Sequence, residues 1–311
     1  MVTRRQAALG LLFVTIIWGG TFVWMKQILD AVDDRVDASG LTAVVALIVA
    51  SRFALAALTL PLFSRSGRAG MFSAKSWKGG AILGTLMYLG FITQMIALDS
   101  ISPSVSAFLT SLYVVFTAMI GAMIAGYNPT RIMIVGAILA TLGAGFIDGP
   151  PHLNWTWAEI LTVACALFFA LHILATQIIT SEMNPVEVSQ TSFITVVILS
   201  LITLVIFSDT KLSELFASLG DDGVILPLLA LGLLGSLVCL LMLNLLQRHL
   251  HPTHAAVIYA LEPVWATIYG LSIGIQTWTI WILVGGLTLV IGNVIVEVGA
   301  QHNEEATPSK S

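Results

Sequence analysis

One carboxylate stands in the middle of a long apolar run: Glu262, within Ala255-Ala256-Val257-Ile258-Tyr259-Ala260-Leu261-Glu262-Pro263-Val264-Trp265. An isolated acid at the centre of a membrane-length segment costs about 2.5–3.5 kcal/mol on insertion scales, so a residue kept there is read as functional. Three tasks suit it: capping broken backbone or pairing with a cation, touching a substrate, or carrying a coupling proton. Pro263 follows directly. Its missing N–H frees a carbonyl near Tyr259, which predicts a helix break. Helical spacing puts Tyr259, Glu262, Trp265, Ala266 and Tyr269 on one face, with aromatic walls around a single acid.

Arg52, next to Phe53, is the charge of opposite sign within an apolar stretch. Its guanidinium has five donors and no acceptor, so it must reach water, a carboxylate or helix carbonyls. Pairing with Glu262, gripping a substrate carboxylate and a purely structural network are the readings left open. Trp18-Gly19-Gly20-Thr21-Phe22 combines an indole, a hydroxyl and two adjacent glycines that permit close helix approach and local breakage. Its counterpart, Phe169-Ala170-Leu171-His172, offers a ring and a histidine. That histidine is either a packed hydrogen-bonding residue or a ligand or proton relay. Tyr88, Phe91, Gln94 and Met95 form a stripe that suits helix packing as well as pocket lining. The expected cavity residues are Trp18, Thr21, Tyr88, Tyr113, His172, Tyr259, Glu262 and Trp265. Arg52 is the charge partner or carboxylate ligand, and Gly19, Gly20 and Pro263 are the helix breaks.

Other chemistry is poorly supported. His249, His251 and His254 crowd one joint without acidic or thiol company, so no metal site is expected there. The acidic loop from Asp30 to Gly40 does not follow a calcium-loop pattern. No phosphate loop of the G-x-x-x-x-G-K-[ST] kind occurs, so no ATP-driven step and no cofactor are expected. No basic face for nucleic acid appears.

The elements that must position these groups are membrane helices. The chain is 57% hydrophobic and only 10% charged, with a net charge of −4, and its mean hydropathy is +0.96. Soluble domains carry roughly 25% charge. This chain lacks the charge to cover a water-facing surface, and its fold class is all-α polytopic membrane protein in a lipid bilayer. Ten stretches approach the ~20 apolar residues that a crossing needs. They run near 6–29, 42–64, 78–98, 103–125, 130–148, 155–179, 186–207, 223–246, 253–273 and 278–298. Cys165 and Cys239 fall inside apolar runs and read as buried small hydrophobes. Cytoplasmic termini gather Arg4, Arg5, Arg65, Arg68, Lys75, Lys78, Arg131, Arg248 and Lys310 inside. Only Arg35 and Lys211 are then left outside, which is the asymmetry of an inner (plasma) membrane protein with both ends in the cytoplasm.

The chain also repeats itself at an offset of 149 residues. Pro103, Gly121, Gly136 and Gly143 of one copy match Pro252, Gly270, Gly285 and Gly292 of the other. Five spans per copy is an odd number, so the copies must cross in opposite directions, with a shared site near the midplane. The copies are 6–148 and 155–298, followed by a polar tail, 299–311, expected to be disordered and cytoplasmic. Tyr113 occupies the position matching Glu262, so a phenol faces a carboxylate across the two-fold.

Taken together, Trp18-Gly19-Gly20-Thr21-Phe22, Arg52-Phe53 with Ala56, and Ala256-x-x-Tyr259-x-Leu261-Glu262-Pro263-Val264-x-Ala266 resemble the EamA family of the drug/metabolite transporter superfamily. The resemblance covers residues 6 to 298. It implies ten helices in two inverted five-helix repeats around a central cavity, and a secondary transporter that exports amino acids or similar metabolites. The chain departs from the family in Ser111-Leu112-Tyr113-Val114-Val115, where Leu-x-Pro-Val is usual. Without that proline, the fourth helix is expected to be straighter than the ninth. The partners expected are a small neutral or zwitterionic solute and lipid, with the chain a monomer or weak homodimer. The alternatives are a membrane-embedded enzyme, which would need a nucleophile–base pair at one interface, and a partner-binding membrane protein without transport.

Overall fold

A computed structural model describes residues 2–33, 40–124, 130–146, 155–208, 215–217, 219–250 and 252–306. Asp34, Arg35, Asp37, Asp209, Lys211, His251 and Lys310 lie outside the described residues. Every regular element among those described is helical, as a chain in hydrocarbon requires when no water can bond its backbone. The first repeat holds α1 (Arg4–Ala31), α2 (Leu41–Phe63), α3 (Arg65–Gly70), α4 (Ala74–Ser100), α5 (Pro103–Thr110), α6 (Tyr113–Ile124) and α7 (Arg131–Phe146). The second holds α8 (Trp157–Glu182), α9 (Pro185–Phe207), α10 (Asp222–Leu229), a π-helix (Ala230–Val238) and α11 (Cys239–Leu246). It closes with α12 (Pro252–Tyr259), α13 (Glu262–Ser272) and α14 (Ile280–Ala306). The leading helix of each repeat starts alike: Thr3 and Thr156 form capping boxes with Gln6 and Glu159.

Eight helical stretches are long and apolar enough to cross a bilayer: Arg4–Ala31, Leu41–Phe63, Ala74–Ser100, Pro103–Ile124, Trp157–Glu182, Pro185–Phe207, Gly223–His249 and Ala255–Ser272. The fifth and tenth expected crossings are represented by shorter apolar stretches, Arg131–Gly143 and Ile280–Val296. With 16 residues, α7 rises about 24 Å, less than a ~30 Å hydrocarbon core. The segment from 299, expected to be disordered, instead continues α14 as helix to Ala306.

Two pairs of repeat-equivalent helices pack directly on each other. A Cβ on Gly136 would lie 2.6 Å from the Val296 nitrogen, and one on Gly143 would lie 2.7 Å from Leu289 Cα. Moving forward along α7 therefore moves backward along α14, so the two are antiparallel with their backbones touching. This explains the paired glycines: small residues are the means by which membrane helices gain close van der Waals packing. In the second pair, Gln190 Nε2 on α9 donates to the Ala57 carbonyl on α2 at 2.9 Å. The Phe53 and Phe193 rings meet 6.0 Å apart, again in antiparallel register. Two large buried apolar clusters and a small third one around Leu83, Ile179 and Val188 result, and Trp18 and Phe169 pack against both large ones, at their seam.

The fourth and ninth expected helices are each interrupted, and at matching positions. Residues 111–112 separate α5 from α6, and residues 260–261 separate α12 from α13. The expectation of a straighter fourth helix is therefore wrong. At the first break the Leu112 N–H donates to the Leu109 carbonyl (3.2 Å) and the Val114 N–H to that of Ser111 (3.0 Å). Ser111 Oγ adds a bond to the Phe108 carbonyl at 2.8 Å. Three-residue bonds and a back-bonding serine tighten the turn as a proline would loosen it. Across the two-fold, Leu261 donates to Ile258 (3.2 Å) and Val264 to Leu261 (3.1 Å). Gly19 and Gly20, by contrast, break nothing, because α1 is continuous from Arg4 to Ala31.

Candidate functional site

Between the two breaks lies a cavity lined by aromatic and aliphatic side chains with a few polar groups among them, the make-up of a small-molecule pocket. Its walls come from both repeats: Trp18 and Thr21 of α1, Gln94 of α4, and Tyr113 at the start of α6. The second repeat supplies Phe169 and His172 of α8, Tyr259 at the end of α12 and Glu262 at the start of α13. Tyr113 and Glu262 open their half-helices for the same reason. Each is the first residue to resume helical geometry after its break.

The aromatic residues form two walls. Tyr259 lies 5.6 Å from the Trp18 ring and 6.5 Å from that of Tyr113. On the other side Phe169 meets Phe91 edge-on at 5.2 Å. Several polar groups fix these rings. Trp18 Nε1 donates to the Gly235 carbonyl in the π-helix at 3.1 Å, and Tyr259 Oη donates to Gln247 Oε1 at 3.2 Å. Gln247 is held in turn through its Nε2 on the Ile173 carbonyl, 2.9 Å away. Gln94 Nε2 reaches Thr110 Oγ1 at 3.3 Å.

Other polar groups are left open. Tyr113 Oη and His172 Nε2 are buried without a hydrogen-bond partner among the described residues. Glu262 is the single acid of the lining, and no lysine or arginine joins it. Buried polar groups are normally bonded, and unpartnered ones facing a cavity are the mark of a site awaiting a ligand.

Of the eight expected cavity residues, Trp18, Thr21, Tyr113, His172, Tyr259 and Glu262 converge here, and two do not. The Tyr88 hydroxyl is bonded to Thr203 on α9 instead. Trp265 packs against Gly19: a Cβ there would lie 2.8 Å from the Ala266 nitrogen, so the glycine lets α13 approach α1. Helical spacing had aligned Trp265 with Glu262 on the cavity face, but the face it shares turns toward α1.

Arg52 is fully buried but stands behind the cavity wall. Its guanidinium lies 4.4 Å from the Phe91 ring centre and 5.3 Å from that of Phe53. Nε donates to Ser236 Oγ at 2.9 Å, and Nη1 to Met25 Sδ at 3.6 Å. It makes no ion pair with Glu262: Lys26–Asp30, at 3.2 Å, is the pair found among the described residues. Arginine thus supports the Phe91 wall by cation–π contact and ties α2 to the π-helix.

The π-helix and Gln247 escaped the sequence reading. Gly232, Gly235 and Ser236 hint at close packing, but the extra residue per turn is set by neighbours: Thr21, Leu55 and Arg52 press on those glycines. The two cysteines are buried and unpaired. No cluster of metal-ligating side chains occurs among the described residues.

Comparison with known proteins agrees with this architecture. The model of the EamA-like transporter family matches twice, over residues 5–147 and 156–298. A protein of Archaeoglobus fulgidus described as an uncharacterized transporter is 27% identical over 299 residues, 96% of this chain and 87% of its own length. A solved crystal structure, described only as that of a protein, superposes with a TM-score of 0.60 at 16% identity. It covers 93% of this chain and 98% of that one, and carries the fold alone. Family and relative point to a transporter rather than an enzyme. Because the family match takes in both halves, cavity and all, the chain belongs to the EamA-like transporter family of multi-pass membrane proteins.

Proposed function

We propose that this protein is a secondary transporter that exports amino acids or similar small metabolites by alternating access. The observation that supports it most is the cavity at the two matched helix breaks, built from both repeats. In transporters made of inverted repeats, the solute site lies where interrupted helices meet, and rocking of one set of helices against the other exposes it alternately. Antiparallel α7 and α14, and α2 and α9, support ten crossings with the repeats inverted. On the positive-inside rule, Arg4, Arg5, Arg65, Arg68, Lys75, Lys78, Arg131 and Arg248 put both termini in the cytoplasm and the chain in the inner membrane. In this reading Trp18, Thr21, Tyr113, His172, Tyr259 and Glu262 touch the solute, Arg52 positions the Phe91 wall, and Glu262 carries the coupling proton. The chain works as a monomer or weak homodimer.

The test is counterflow in proteoliposomes of purified protein, with a panel of labelled amino acids and no imposed gradient. Exchange that exceeds empty liposomes establishes the carrier. Silence across the panel, with folded protein confirmed, removes amino acids from the reading.

A further inference from the structure

The charges and rings around the cavity are unequal, and that inequality bears on what a ligand must carry. Glu262 is the one acid in the lining, and no lysine or arginine accompanies it. Among the described residues its carboxylate has neither hydrogen bond nor salt bridge, although the side chain is only 8% exposed. Tyr113, Tyr259 and Trp18 follow one another along one wall, at 6.5 Å and 5.6 Å. Ring faces attract cations, and an unpaired carboxylate beside them does so more strongly. The one buried arginine nearby lies outside the lining, with Nε on Ser236, Nη1 on Met25 and two phenylalanine rings beside it, and its Nη2 is unpartnered.

We infer that the cavity recognises its solute through an ammonium group seated against Glu262 between Tyr113, Tyr259 and Trp18, with no lysine or arginine in the lining to hold a solute carboxylate. The ligand class is therefore a primary amine bearing an apolar or aromatic body, whether or not it also carries the acid of an amino acid. Tyr113 Oη, buried and unpartnered, supplies a second polar contact beside the acid. An ammonium placed there compensates a carboxylate that the fold leaves uncompensated. A solute carboxylate placed there would meet the oxygens of the acid with no lysine or arginine of the lining to offset them. This rests on the cavity being the solute site, as proposed above.

A matched series tests it: L-phenylalanine, phenethylamine, N-acetyl-L-phenylalanine and 3-phenylpropanoate. Each is titrated calorimetrically into the purified full-length protein in lipid nanodiscs and offered as a competitor in the counterflow assay. Phenethylamine is expected to bind at least as tightly as phenylalanine, and the two species without an ammonium at least tenfold more weakly. Glu262→Gln, with its folding checked by size-exclusion chromatography, should weaken both amines tenfold or more. Tyr113→Phe, which keeps the ring, should weaken them a few-fold. Tighter binding of phenylpropanoate than of phenethylamine would overturn the inference, as would amine binding unaffected by Glu262→Gln. Amine binding without exchange of any solute would uphold the inference while removing the transporter reading. Exchange of phenylalanine that phenethylamine does not compete for would do the reverse.

Discussion

The break between α5 and α6 and the break between α12 and α13 use one backbone plan with different means. In the first repeat, Ser111 bonds back to the Phe108 carbonyl, and a tight turn follows without any proline. In the second, Pro263 removes an N–H, and Leu261 and Val264 make the short bonds. What stands at the restart also differs: a phenol at Tyr113, a carboxylate at Glu262. The geometry is thus the property retained by both repeats, and the chemistry is what has been allowed to diverge. A two-fold scaffold holds an asymmetric solute in one orientation only if its centre is asymmetric, and these two residues make it so.

The largest effect should come from disturbing what the repeats share. Gly143→Ala puts a Cβ within 2.7 Å of the Leu289 backbone, and overpacking there should destabilise by about 3 kcal/mol. At Gly121, another of the paired glycines, the nearest atom to an added Cβ is Leu174 Cδ2 at 3.5 Å. Gly121→Ala should be neutral, or stabilise by up to ~1 kcal/mol through helix propensity. Thermal melts in detergent would separate the two, and equal shifts would contradict the packing account.

Next come the residues in which the repeats differ. Glu262→Gln should raise the half-saturating solute concentration in exchange tenfold or more, equivalent to about 1.4 kcal/mol. At saturating solute it should exchange but no longer respond to a pH gradient. Tyr113→Phe should shift the same concentration only a few-fold. If the two variants behaved alike, the asymmetry would have no functional content.

Smaller effects are expected at the turns. Ser111→Ala removes two buried hydrogen bonds, its donation to the Phe108 carbonyl and a long one accepted from Asn293 Nδ2 at 3.5 Å, and should cost about 1 kcal/mol. Pro263→Ala should change stability and exchange least of all, since the first repeat breaks without a proline and tertiary contacts hold the second. A Pro263→Ala variant that loses exchange altogether would show that the proline, and not the surrounding packing, makes the break.

Much of the architecture was legible in the residues. Long apolar runs read as helices in a bilayer, and two of the three glycine pairs at the fixed offset, Gly136 with Gly285 and Gly143 with Gly292, turned out to be where α7 and α14 touch. Glu262, Tyr113, Tyr259, Trp18, Thr21 and His172 were legible as cavity residues because a polar or amphipathic group is conspicuous against hydrocarbon. Tyr88 and Trp265 were misplaced for a related reason. In an apolar helix the lipid face, the packing face and the cavity face have the same hydropathy, so periodicity does not tell them apart. The straight fourth helix was expected because a missing proline is visible, whereas a serine bonding back to its own helix is not.

By itself the sequence determined that this chain lies in a membrane, that it is a duplication, and that one buried acid marks its centre, because burial of charge and helix-length apolarity are local properties. Tertiary structure alone decided that Arg52 braces Phe91 instead of meeting Glu262, that Tyr88 turns to Thr203, and that a π-helix offers its Gly235 carbonyl to Trp18. Those outcomes depend on which neighbour offers a bond partner or a ring face at the right distance, and that is settled only when the helices pack.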